Sequence, residues 1–284
     1  MFYNYIIKRE NKNIEKILKQ QNTIEYKTSI LEKSMWGSYI YIPEGEIKGY
    51  IIDIYGSGKL VAGSPAQNRH FCCWLAEQGY QVFCLDYPLI PYVNFIEQLD
   101  FILEAIEKII EVTPDWDNKP KYLFGDSAGA LLALFTLGLT SPIYRIKRDF
   151  GVIHNNVEVQ WSGVWFQSPI FYTAEPTLID QITSRFYYGK KWKKQAYAKY
   201  IKNPIQNLFM VIPHNTIFSS GFGDELHYHF KRAWYEMEDI TGNLPIALKS
   251  IYDGHNMIVL FPFERLHREV KFNALFYLDR DRIR

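Results

Sequence analysis

Residues 48–280 alternate between short apolar runs and longer amphipathic ones, which predicts an α/β fold: a mostly parallel central sheet with helices on both faces. Two further observations sharpen this. Residues 48–55 and 81–85 are largely apolar without period-two alternation, the pattern of strands buried on both faces. Residues 121–135 run from Lys121-Tyr122-Leu123-Phe124 through Gly125-Asp126-Ser127-Ala128-Gly129 into Ala130-Leu131-Leu132-Ala133-Leu134-Phe135, a strand, a sharp turn and a helix.

The other elements follow along the chain. Residues 5–20 carry Ile7, Ile14, Ile17 and Leu18 among charges, a surface helix with one apolar stripe. Residues 35–42 alternate as Trp36, Ser38, Ile40 and Ile42, one strand, and a turn follows at Pro43-Glu44-Gly45-Glu46. After the strand at 48–55 comes a Gly-rich loop, Gly56-Ser57-Gly58 on to Gly63-Ser64-Pro65, then a helix over 66–78 that Gly79 ends. Residues 95–112 form the most periodic helix, with Phe95, Leu99, Ile102, Leu103, Ile106, Ile109 and Ile110 on one side. Later strands fall at 159–166, 216–220 and 246–252, and later helices at 226–240 and 263–277. Residues 172–205 break the rhythm and are polar and aromatic. No repeat, low-complexity run or linker divides the chain, so 1–284 reads as a single domain.

Composition narrows the class. With 284 residues, 48% hydrophobic and 22% charged, the chain has an ordinary globular make-up. A net charge of +1 argues against a nucleic-acid-binding protein. Aromatics reach 17%, more than a core needs, which suggests an aromatic-lined cleft. Cys72, Cys73 and Cys84 have neither disulfide nor zinc spacing and sit among apolar neighbours, so they read as buried free thiols. The N-terminal 22 residues lack the apolar core of a signal peptide, and no run of 18 apolar residues occurs. A cytoplasmic location without stable membrane insertion is expected, and a homodimer is compatible with the sequence.

Gly125-Asp126-Ser127-Ala128-Gly129 is a G-x-S-x-G turn with a strand before it and a helix after it, the context in which the motif presents a nucleophilic serine. A side chain at either flanking glycine would strike neighbouring backbone. A serine hydroxyl needs a base, and in this arrangement the acid and the histidine follow the serine on loops after later strands. Asp224, in Gly221-Phe222-Gly223-Asp224, follows the strand at 216–220, with Glu225 as the local competitor. His255, in Asp253-Gly254-His255-Asn256, follows the last strand, and Gly254 is expected to let the turn present it. None of the other six histidines lies between that strand and the final helix. Ser127 then attacks an acyl carbonyl, His255 takes and returns the proton, and Asp224 fixes the imidazole. The oxyanion needs backbone N–H donors, expected from Ala128, Gly56 and Ser57. No cofactor or metal is called for, and activity is expected to fall in acid as His255 protonates.

On these residues the chain resembles the α/β-hydrolase superfamily, and within it the hormone-sensitive-lipase-like esterases. The elbow matches that family's G-D-S-A-G, Asp86-Tyr87-Pro88-Leu89-Ile90-Pro91 is similar to its D-Y-R-L-A-P, and Gly221-Phe222-Gly223-Asp224-Glu225-Leu226 to its acid-bearing G-x-x-D-x-L. Asp253-Gly254-His255 stands where its histidine falls. The family's H-G-G-G oxyanion motif reads Tyr55-Gly56-Ser57-Gly58 here, and its arginine is replaced by Pro88. The resemblance implies an α/β-hydrolase fold, a serine carboxylesterase acting on a small-molecule ester, and a small helical cap built from residues 1–33 and 172–205. An acyltransferase or peptidase using the same triad, and a non-catalytic binding protein on the same fold, are the alternatives. Within 185–202 there are seven basic residues, among them Lys190, Lys191, Lys193 and Lys194, and no acidic one. These read either as a solvated face or as attraction for an anionic substrate or membrane surface.

Overall fold

The computed structural model describes residues 2–22, 31–35, 38–58, 61–175, 178–242, 245–250 and 254–279. Its centre is an eight-stranded sheet of β1 (Leu31–Met35), β2 (Ser38–Ile42), β3 (Gly49–Ile54), β4 (Tyr80–Leu85), β5 (Lys121–Asp126), β6 (Gly163–Gln167), β7 (Thr216–Gly221) and β8 (Ile246–Ser250). The spatial order is β1-β2-β4-β3-β5-β6-β7-β8. β2 pairs antiparallel with β1 and β4, and every other pair is parallel. β3, β5, β6 and β7 are buried at every position, which is why they read as apolar runs.

Helices cover both faces. On one side α2 (Arg69–Glu77) packs on β4, and α11 (Arg268–Leu278) packs on β6, β7 and β8. Trp74 and Phe272 join these helices with rings 5.7 Å apart. On the other side α4 (Ala128–Leu139) packs on β3 and β5, with α3 (Phe95–Val112), α5 (Tyr144–Phe150) and α8 (Pro204–Leu208) against it. All twelve residues of α4 are buried, so its Ala/Leu sequence has no polar face. α9 (His227–Thr241) packs on β7 and α8. Asn94 and Glu97 form a capping box that starts α3. Between β6 and β7 the chain adds α6 (Leu178–Tyr188) and α7 (Ala198–Lys202) before α8, and α10 (Met257–Leu260) precedes α11. α1 (Phe2–Gln21) lies over the carboxyl ends of the strands, pinned where Gln21 Nε2 donates to the carbonyls of Gln67 and Leu260, both at 2.8 Å.

Three expectations from the sequence shift. The strand expected over 35–42 is two strands, β1 ending at Met35 and β2 starting at Ser38. The strand expected from 159 starts at Gly163, because the Val159 amide is already bonded to the Thr140 carbonyl. The final helix, expected from 263, starts at Arg268 behind a 3₁₀ turn at Arg265–His267. Cys72, Cys73 and Cys84 are buried and free, as their apolar neighbours imply. Among the described residues no helix is long and apolar enough to cross a membrane.

The tightest constraint is where α4 leaves β5. A Cβ on Gly129 would lie 2.0 Å from the Ile54 carbonyl oxygen and 2.5 Å from that of Tyr55. Backbone cannot give way there without parting β3 from α4. Gly129→Ala is therefore expected to cost more than about 3 kcal/mol in urea unfolding. Gly151 supplies the contrast, left-handed at φ +69° with open space around it, and Gly151→Ala should cost only about 1–2 kcal/mol. Equal losses for the two would show that the close approach is not the constraint.

Candidate active site

Ser127 occupies the turn between β5 and α4 with φ 52° and ψ −121°, a region costing on the order of 1–3 kcal/mol for a residue with a side chain. Three backbone bonds hold it there. Its amide donates to the Gln167 carbonyl at 2.9 Å, and its carbonyl accepts from the amides of Ala130 at 3.2 Å and Ile170 at 3.1 Å. Gly125 is needed because a Cβ would come within 2.7 Å of the Gly129 carbonyl. The turn leaves the Ser127 side chain on a cavity of about 340 Å³.

The structure brings the three sequence-derived residues into one chain of contacts. His255 Nε2 lies 2.8 Å from Ser127 Oγ, and His255 Nδ1 lies 3.0 Å from Asp224 Oδ1. Asp224 also accepts the Leu226 amide at 2.8 Å and the Ser220 hydroxyl at 3.2 Å, so it braces its own turn as well as the imidazole. Burial alone would raise its pKa, but His255, the Leu226 amide and the Ser168 hydroxyl outweigh burial and hold the carboxyl below its usual range. Glu225 is exposed on the cavity rim and makes no bond to His255.

The turn that presents His255 works differently from the sequence expectation. Gly254 has no left-handed backbone, and a Cβ there would meet only Met257 Cγ at 3.9 Å. The left-handed residue is Asn256, at φ +62°. Its amide donates to Ser168 Oγ at 3.2 Å, and its side-chain NH₂ donates to Asp126 Oδ2.

Asp126, next to the nucleophile and fully buried, gathers the surrounding loops. It accepts from Asn68 Nδ2 at 2.8 Å, from Asn256, and from the Gly56 amide. The Gly56 backbone runs close against this carboxyl, and a Cβ on Gly56 would sit 2.2 Å from Asp126 Oδ2. The Ser57 hydroxyl lies 3.2 Å from the Tyr87 hydroxyl, which also donates to the Tyr55 carbonyl at 2.7 Å. Asp126, Asn68, Ser168 and Asn256 were not singled out from the sequence as site residues. Only Asp126 lay within a recognised motif.

Behind Asp126, Asn68 Nδ2 also donates to Asp53, at 3.1 and 3.2 Å to its two oxygens. Burial and the neighbouring Asp126 charge push Asp53 up to about 7. Asp53, Cys72 and Cys84 place their oxygen and sulfur atoms within 4.8 Å of one another, the one grouping with metal-ligand chemistry among the described residues. Burial drives both thiols far up, so they keep their protons, and Cys72 donates to Asp53 at 3.1 Å. The Cys72 thiol bonded to the Asp53 carboxyl makes this grouping a hydrogen-bonded contact of the packed core.

The cavity is walled by Ile170, Leu226 and Leu260 and roofed by α1 through Glu10, Asn13, Ile14 and Ile17. Among the described residues of 172–205 none lines it.

An eight-stranded, mostly parallel sheet with a strained serine turn after its fifth strand is the α/β-hydrolase fold. Solved structures agree. Esterase B from Lactobacillus rhamnosis, in complex with a tributyrin phosphonate, superposes with a TM-score of 0.80 over 96% of this chain and 93% of its own at 18% identity. An esterase from Pyrobaculum calidifontis gives 0.71 over 97% and 93% at 19% identity. A thermostable carboxylesterase from a metagenomic library gives 0.64 over 96% of each at 17% identity. No family model and no curated protein matches the sequence.

His229 supplies a pH test of the packing behind Asp224. It is 2% exposed, and its Nδ1 accepts the Tyr172 amide at 3.1 Å. Burial, then the Arg232 charge, lower it to about 4 from 6.5. The unfolded chain therefore takes up this proton first on acidification. The stability tied to neutral His229 is complete above pH 6.5 and is lost as pH falls toward 4, on the order of 3 kcal/mol in all. Urea midpoints between pH 7 and 4 should fall less steeply in His229→Gln than in the wild type. Parallel slopes would rule His229 out as the source.

Proposed function

We propose that the chain is a serine carboxylesterase hydrolysing small or medium acyl esters. The observation that carries this reading is the unbroken contact chain from Ser127 Oγ through His255 to Asp224, at a strained turn opening on a cavity. Ser127 Oγ attacks the ester carbonyl as His255 Nε2 takes its proton. Asp224 keeps the Nδ1 proton in place and steadies the imidazolium. The backbone amides of Ala128 and Ser57 meet the oxyanion. His255 returns the proton to the leaving alcohol, then activates a water that attacks the acyl-enzyme and releases the acid. These steps draw on no cofactor.

The cavity volume, about 340 Å³ with Ile14, Ile17, Ile170 and Leu260 in its walls, suits a short apolar acyl group. The phosphonate complex of Esterase B supports the same class of substrate. We assign α1 as the functional cap over the site, with α6, α7 and α8 as an outlying second piece of a single domain. Free buried thiols at Cys72, Cys73 and Cys84 support a reducing, cytoplasmic location.

A fluorophosphonate should label Ser127, located by mass spectrometry, and p-nitrophenyl butyrate should be turned over. Ser127→Ala and His255→Ala should each lower kcat by about four orders of magnitude or more. No label and no turnover above the Ser127→Ala background would leave a binding protein on this fold. Ser57→Gly keeps the backbone donor, so its loss should stay far below the ~100-fold that follows removal of an oxyanion donor. A loss of that size would assign the role to the Ser57 hydroxyl.

A further inference from the structure

The proposed reaction leaves two basic surfaces unused. The first is on α1, where Tyr5, Lys8, Lys12, Lys16 and Lys19 are all exposed. Spacings of three and four residues place them on one stripe. Residues 10, 13, 14 and 17, on the opposite face of the same helix, roof the Ser127 cavity. The second is the turn at 189–194. Trp192 is 1% exposed and packs on Tyr188 with rings 5.6 Å apart, anchoring a turn whose Lys190, Lys191, Lys193 and Lys194 all point to solvent.

Among the described residues none of these eight lysines has an ion-pair partner, whereas the nearby Lys199 is paired with Asp149 at 2.5 Å. Pro91 and Tyr92 join the two surfaces. They line a groove of about 700 Å³ along α1 with Ile7, Lys8 and Lys12, and a groove of about 470 Å³ with Tyr187, Tyr188 and Gly189. Tyr92 is 81% exposed and Tyr5 66%. The chain carries +1 in total, so these eight lysines are offset by a remainder of −7, of which Glu15 and Glu97 also line the two grooves.

We propose that this face docks the protein on an anionic lipid surface. Unpaired lysines on two elements supply attraction that adds with each residue and fades within ~8 Å at physiological salt. Tyr5 and Tyr92 are the amphipathic side chains that favour the headgroup level. A basic helix with its stripe outward lies on such a surface without crossing it. Granted the esterase reading above, docking sets the outer face of the helix that roofs Ser127 against the lipid surface.

Flotation of the whole protein with vesicles tests this. Vesicles of two parts phosphatidylcholine to one part phosphatidylglycerol should bind it at low ionic strength and release it at high salt, and pure phosphatidylcholine should not bind it. Combined Lys190→Glu, Lys191→Glu, Lys193→Glu and Lys194→Glu should weaken binding about tenfold or more, as should Lys8→Glu with Lys12→Glu. Lys108→Glu, on α3, should leave binding unchanged. Circular dichroism melting should show the variants folded. Ser127→Ala should float like the wild type, so failure of the esterase reading would leave this result untouched. Equal binding to neutral vesicles, undiminished binding after the charge reversals, or binding to duplex DNA but to neither vesicle would each overturn the proposal.

Discussion

The approach of α4 to β3 sets the geometry on which everything else depends. A helix that starts one residue after the nucleophile must cross the ends of β3 and β5 at backbone distance. Gly129 permits this against the Ile54 and Tyr55 carbonyls, and Gly125 permits it against α4 itself. With both in place, Ser127 has no room for an ordinary backbone conformation. It is held at positive φ with its side chain outward. The strain is stored where a hydrogen bond to the Gln167 carbonyl and others from the Ala130 and Ile170 amides keep it from relaxing.

Asp126 turns that local geometry into a site. Its carboxylate is buried and negatively charged when ionised, so it must be met by donors. The donors it finds are the Gly56 amide, Asn68 and Asn256, which belong to the loop after β3, the start of α2 and the loop carrying His255. One desolvated charge thus draws three loops toward the nucleophile. Asn68 passes the constraint on to Asp53, where the protonated thiols of Cys72 and Cys84 complete the solvation of a second buried carboxylate. The polar floor of the site and the sheet core are therefore one hydrogen-bonded body.

Much of this was legible in the sequence, and the illegible part has a physical cause. Strands buried on both faces leave uninterrupted apolar runs, so β3, β4 and β5 could be read directly, and Gly125 and Gly129 mark a turn by their steric demand. Ser127, Asp224 and His255 could be placed because each follows a recognisable strand. The single run read over 35–42 overlapped two antiparallel strands, β1 ending at Met35 and β2 starting at Ser38. Asn68, Ser168 and Asn256 carry no local signal at all. They matter only through contacts with residues 58, 88 and 130 positions away.

The left-handed turn at Asn256 limits how this sequence can drift. Position 256 is asked for two things at once, a backbone angle that most side chains resist and a proton for a buried carboxylate. Glycine satisfies the first and offers nothing for the second. Aspartate tolerates the angle but brings a second negative charge against Asp126. Residues with a suitable donor and a longer side chain resist the angle. Asparagine alone among the common choices meets both demands, so a change there has to be accompanied by a change at 126, and with it at the loops that 126 holds.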